Sequence, residues 1–155
     1  MGINIVLVEP EIPQNTGNIA RTCAALQIPL HLVHPLAFDT SEKQVRRAGL
    51  DYWHLVKVIY HSSLAVFLET ADPSYTLVPT TKKAELLYSE YSYPENCYLL
   101  FGKETEGLPD WLVQKYKNHS IRIPTSGGVR SLNLSNAAAI IAYEASRQHN
   151  FFGLR

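Results

Sequence analysis

The sequence predicts an α/β protein organised around a mostly parallel sheet. Three features carry that expectation. Short apolar runs rich in β-branched residues alternate with stretches of helical periodicity, the order expected when strands and covering helices take turns. The runs are near-continuous rather than alternating in polarity, which suits strands buried on both faces. Polar loops follow several of them, at the place where open α/β sheets bind their ligands. With 155 residues, 46% of them hydrophobic, the chain has the material for one core, and residues 1–155 are read as one domain.

The first expected strand is "INIVLV", Ile3 to Val8. Prolines stiffen the loop after it, and Asn15, Thr16, Gly17 and Asn18 make a polar turn opening a helix from Asn15 to Leu26, which carries Arg21. "LHLVH", Leu30 to His34, gives the next strand, followed by a helix from Ser41 to Arg47. "LVKVI", Leu55 to Ile59, and a helix from Ser63 to Thr70 come next. The strand "YTLVP", Tyr75 to Pro79, leads into the threonine-lysine turn "TTKK". "CYLLFG", Cys97 to Gly102, runs into "FGKETEGLP", where Gly102 and Gly107 bracket a tight loop whose backbone can approach a ligand closely. A helix from Pro109 to Tyr116 and the strand "SIRIP", Ser120 to Pro124, complete the middle of the chain. The last helix, Asn133 to Gln148, repeats Leu134, Ala138, Ile141 and Ala145 at helical spacing, a stripe for a core or an interface. Ser131, Asn133, Ser135 and Asn136 crowd its start, where a single capping residue would suffice.

Composition limits what these loops serve. Charged residues make up 18% and acids balance bases, which excludes a disordered tail or a protein that coats nucleic acid by bulk charge. An anionic partner then requires a local basic patch. Lys43, Arg46 and Arg47 lie near Tyr52 and Trp53, and Lys103, Arg122 and Arg130 sit around the expected crevice. Cys23 and Cys97 form no ligand pattern and read as buried thiols, so no metal is expected. The start "MGINIVLVEPE" lacks the features of a signal peptide, Val6 occupies the myristoylation position, and no apolar run is long enough for a membrane; the expectation is the cytoplasm. The dinucleotide fingerprint, the P-loop, HExxH and GxSxG are all missing.

Taken together, "NIVLVEPEIPQNTGNIARTCAA", "LHLVHPLAF", "RRAGLDYW", "TTK", "LLFGKETEGLP", "IRIP" and "RSLNLSNAAAIIAYEA" resemble, in order and spacing, the SPOUT-superfamily RNA 2′-O-methyltransferases, in particular the small tRNA wobble-nucleotide enzymes of the YibK type. The resemblance covers nearly the whole chain. It implies an α/β knot, with a C-terminal trefoil knot that general rules of connectivity would not have suggested. It implies S-adenosylmethionine as cofactor, leaving as S-adenosylhomocysteine, held around Pro79, Thr80, Gly102, Glu104, Ile123, Ser131 and Leu132. The reaction centre is implied to comprise Asn15, Arg21, Glu104, Ser131 and Asn133. Arg21 is either the proton acceptor or a stabiliser of charge on the ribose oxygen and phosphate, the second role suiting a group that stays protonated. Arg21, Lys43, Arg46, Arg47 and Arg130 are the implied RNA contacts. The implied substrate is the first anticodon nucleotide, cytidine or modified uridine, in the anticodon stem-loop of leucine tRNAs, gripped by a homodimer. Another tRNA or ribosomal RNA position, or an RNA-binding factor without turnover, are the alternatives.

Overall fold

A computed structural model describes residues 2–40, 43, 47 and 52–155. Strands β1 (Ile3–Val8), β2 (Leu30–Val33), β3 (Val58–His61), β4 (Thr76–Pro79) and β6 (Cys97–Phe101) form one sheet in the order β3-β2-β1-β6-β4. Every pairing in it is parallel. A smaller parallel pair joins β5 (Leu86–Leu87) to β7 (Ile121–Arg122). The mostly parallel α/β architecture expected from the sequence is the one observed.

Alternation along the central strands splits their side chains between two apolar layers. Ile3, Ile5 and Leu7 of β1, with Cys97, Leu99 and Phe101 of β6, point into one layer. Helix α1 (Pro13–Leu26) covers it with Ile19, Ala20, Cys23 and Leu26, and α4 (Leu134–Gln148) with Ala138, Ile141, Ala142 and Ala145. The periodic stripe of the last helix therefore belongs to the core, Leu134 packing at its edge. Val6, Val8, Tyr98 and Leu100 point the other way, against Phe67 of α2 (Leu64–Thr70) and Leu112 and Val113 of α3 (Asp110–Lys115). Six consecutive buried residues in β1 follow directly from this double cover.

Two polar groups inside the sheet find partners there. His31 Nδ1 lies 2.9 Å from His61 Nε2, and His31 Nε2 lies 3.0 Å from Asn4 Oδ1. Burial, together with the neighbouring His61 and Lys57, lowers the His31 pKa to about 4.

The third strand is displaced from the expected Leu55–Ile59. Its pairing with β2 begins at Leu30–Val58, and Leu55 ends a 3-10 turn, Trp53–Leu55, with its side chain exposed. An edge strand with one neighbour takes its bounds from pairing rather than from apolar content. The segment expected as a strand from Ser120 to Pro124 pairs only over Ile121–Arg122, with β5 as a partner too short to leave a periodic signal. Of the helix expected from Ser41 to Arg47, Lys43 and Arg47 are helical and exposed, and the rest lies outside the described residues.

Candidate active site

From β1 the chain builds the sheet outward through β2 and β3, and later elements occupy its other side, so β1 and β6 flank the point where strand order reverses. Ligand crevices open at such points, beyond the carboxyl ends of the strands. A cavity of about 580 Å³ lies there. Its walls come from the segments after β1 (Ile12, Asn15), β4 (Thr80, Thr81), β6 (Phe101 through Leu108) and β7 (Ile123, Arg130 through Leu134).

The loop after β6 is shaped by its glycines. A Cβ on Gly102 would fall 2.0 Å from the Gly107 carbonyl carbon, so the chain folds back on itself where no other residue fits. Gly107 adopts φ +72°, and its N–H donates to the Lys103 carbonyl at 2.9 Å, closing the turn. Glu104 is thereby presented to the start of α1.

α1 begins with Pro13 in its first turn, and its N-cap, Ile12, has no capping side chain. Glu104 supplies the acceptor instead. Its Oε2 accepts from Glu11 N at 2.8 Å, and its Oε1 accepts from Ile12 N at 3.1 Å and Asn15 Nδ2 at 3.2 Å. An anion at the positive end of a helix is the favourable placement. Because the Asn15 amide nitrogen faces this carboxylate, its Oδ1 faces the other way and accepts from Asn133 Nδ2 at 3.0 Å. Asn133 Oδ1 then accepts from Ser135 N at 2.9 Å and caps α4. The carboxylate fixes both amide orientations, and one polar chain links the starts of two helices.

A second clasp holds the same loops. Glu11 accepts through Oε1 from Thr105 N at 3.1 Å and Thr105 Oγ1 at 2.7 Å, and these donors hold its carboxyl below the usual range. Arg130 Nη2 donates to the Thr105 carbonyl at 2.9 Å. Lys103 Nζ stands between Glu9 (3.9 Å) and Glu106 (3.6 Å). Sequence reasoning missed the clasp; its trace there is an acidic residue, Glu11, between Pro10 and Pro13 and a threonine beside Glu104.

Of the expected site residues, Asn15, Thr80, Gly102, Glu104, Ile123, Arg130, Ser131, Leu132 and Asn133 line the cavity. Pro79 is buried at the end of β4, immediately before Thr80. The Thr80 hydroxyl and N–H both donate to the Leu100 carbonyl, and Thr81 N donates to the Ile121 carbonyl at 2.9 Å, which pins this segment between β6 and β7. Arg21 is not in the cavity wall: it is exposed on α1, with its guanidinium 4.7 Å from the centroid of the Tyr52 ring. Lys43 and Arg47 are exposed away from the wall, and Arg46 lies outside the described residues. Among the described residues no cluster of metal-binding side chains occurs, and no helix is long and apolar enough to cross a membrane.

A model of the SpoU rRNA Methylase family matches residues 2–143. The tRNA (cytidine(34)-2'-O)-methyltransferase of Yersinia pestis is 44% identical over 156 residues, covering 97% of this chain and 96% of that protein. A Listeria monocytogenes protein given the same name provisionally is 50% identical over 154 residues, covering 97% of this chain and 90% of that protein. A solved structure described as giving insight into the 2-OH methylation of C/U34 on tRNA superposes with a TM-score of 0.90 at 44% identity, covering 96% of this chain and 91% of that one. The AdoMet-bound rRNA methyltransferase of Sinorhizobium meliloti superposes with a TM-score of 0.86 at 26% identity, covering 94% of this chain and 56% of that one.

Proposed function

The chain belongs to the SpoU rRNA Methylase family, and from that premise we propose that it methylates the 2′-hydroxyl of the wobble nucleotide of tRNA, using S-adenosylmethionine. The observation that carries the reading is the polar chain from Glu104 through Asn15 to Asn133 at the mouth of a cavity of cofactor size. The cavity suits the cofactor in size and in the chemistry of its lining. Gly102 leaves backbone bare where a side chain would block the approach, and Ile123, Leu132 and Ile141 offer an apolar slot. Main-chain groups near Thr80, Gly102, Ile123 and Leu132 are the proposed holders.

When bound, S-adenosylmethionine supplies a methyl group already made electrophilic by its sulfonium, so no metal or covalent intermediate on the protein is invoked. The protein's task is to align a weakly acidic ribose hydroxyl and stabilise charge on its oxygen. Ser131 and Asn133 are the proposed orienting groups. The Asn133 amide carries two hydrogens and gives one to Asn15, leaving the other for the ribose. Glu104, with three donors on its carboxylate, positions Asn15 rather than accepting the proton. Arg21 is proposed to bind the phosphate beside the target ribose, a role suited to a permanently charged guanidinium held over Tyr52.

The reading includes a single methyltransferase domain, a trefoil knot and a homodimer. Segment 80–93 hydrogen-bonds to β7 through Thr81 N and Tyr88 N and to the end of α4 through Tyr93 N and Gln148 Oε1, which supports a loop through which the later chain passes. Ile140 and Tyr143 leave an exposed apolar stripe on α4 that supports pairing of two copies. Lys43, Arg46, Arg47 and Arg130 are proposed to grip the anticodon stem-loop.

The test is transfer of labelled methyl from S-adenosylmethionine to tRNA purified from a strain lacking this gene, followed by nuclease digestion and mass spectrometry. A 2′-O-methylated wobble nucleotide is expected, and Arg21→Ala is expected to lose turnover about a hundredfold or more while binding cofactor within about twofold of the parent. Absence of transfer by a chain that binds the cofactor overturns the reading.

A further inference from the structure

The cavity wall formed by the segment after β4 continues onto a surface that the proposed chemistry leaves unused. Lys82 and Lys83 line the cavity with Asp110, the first residue of α3, and Lys83 Nζ lies 2.9 Å from Asp110 Oδ1. The next residue, Trp111, is 55% exposed. α3 turns Leu112 and Val113 into the apolar layer, so Trp111 and Lys115, four apart, share its outer face. Lys115 Nζ stands 5.5 Å from the centroid of the Tyr116 ring. Trp111 thus lies open to solvent, next in the chain to the wall residue Asp110, on a helix that also carries exposed Lys115 and whose Asp110 is paired with Lys83.

Aromatic rings beside cations are the features on which single-stranded RNA bases stack while their phosphates are neutralised. A nucleotide whose ribose must reach into a cavity leaves the stack of its own loop, and its neighbour loses a stacking partner. We propose that the outer face of α3 replaces that partner: Trp111 stacks the base adjoining the target nucleotide, and Lys82, Lys83 and Lys115 hold the phosphates alongside. This inference rests on the RNA-methylation reading and specifies how the substrate is held. The exposed Lys83–Asp110 pair yields readily to an arriving phosphate, because such surface pairs are weak in water.

The experiment is steady-state methyl transfer to the same tRNA by the parent chain, Trp111→Ala and Trp111→Phe, with cofactor affinity and sedimentation measured on each. Trp111→Ala is expected to raise KM for tRNA about ten- to hundredfold, as loss of one stacked base does, with kcat and cofactor affinity within about twofold; Trp111→Phe recovers most of the loss. Transfer by the parent with an unchanged KM in Trp111→Ala overturns the platform and leaves the methylation reading standing. No transfer by the parent overturns that reading and the platform with it. If Trp111→Ala instead splits a dimer, the face belongs to a second copy of the chain, and the RNA assignment fails.

Discussion

Gly102 shows how closely one residue can determine this site. Its Cα faces the backbone of Gly107 and Leu108, where an added Cβ would lie 2.0 and 2.2 Å from main-chain atoms. Neither neighbour is a flexible side chain that can swing aside, so Gly102→Ala must move the loop that presents Glu104. The expected result is a loss of about 1–3 kcal/mol of stability, the usual cost of overpacking, with cofactor affinity reduced at least about tenfold. Calorimetry and cofactor titration check this; a variant that keeps both values would show that the loop relaxes freely. Glu104, Asn15 and Asn133 were legible as candidates because glycines bracket the first and surplus capping residues surround the last. Their contacts were not legible, since Asn15 meets Glu104 across 89 positions and Asn133 across 118. Arg21 rests on resemblance alone, and the fold places it on the α1 surface beside Tyr52.

At the scale of elements, α1 lacks a cap of its own and takes one from a distant loop. Glu104→Ala would strip the acceptor from the amides of Glu11 and Ile12 and from the Asn15 side chain at once. Leaving such donors unpaired costs about 1–3 kcal/mol, a fall of several degrees in Tm for a chain of this size. Thermal unfolding of Glu104→Ala beside Glu104→Gln, which keeps part of the acceptor, measures it; equal Tm values for Glu104→Ala and the parent would remove Glu104 from the capping role. The helices lying wholly within the described residues were well anticipated, because apolar spacing and caps such as Ser63 and Asn133 are local signals. The strands at the margins were not, since β3, β5 and β7 take their limits from partners far along the chain.

For the molecule as a whole, buried His31, paired with half-buried His61, ties stability to acidity. His31 titrates near 4 in the folded chain, against about 6.5 when unfolded, so between those values the unfolded state binds the extra proton. Stability is therefore full above about pH 6.5 and declines as pH falls towards about 4. Urea unfolding at stepped pH is expected to show that slope, and His31→Gln, which cannot take the proton, is expected to reduce it, the remainder coming from His61, whose pKa burial also lowers; an equal slope in both would assign the acid sensitivity elsewhere. The fold class emerged from the alternation of buried runs with helices, but the strand order did not. No local pattern reveals that β1 lies between β2 and β6, because that order depends on how two helix pairs divide the faces of the sheet.

That central position of β1 has a temporal consequence. On one side it pairs with β2, whose residues follow within a single helix, whereas on the other Ile3 meets Cys97 and Leu7 meets Phe101. During synthesis β1 waits, with one row of amides and carbonyls bare, until most of the chain has left the ribosome. At rates of about 5–20 residues per second that interval lasts seconds, long enough for an unpaired apolar edge to meet another chain. The middle of the finished sheet is thus the most exposed seam of the nascent one, and the slow closure of such distant contacts sets the pace at which the cavity can first exist.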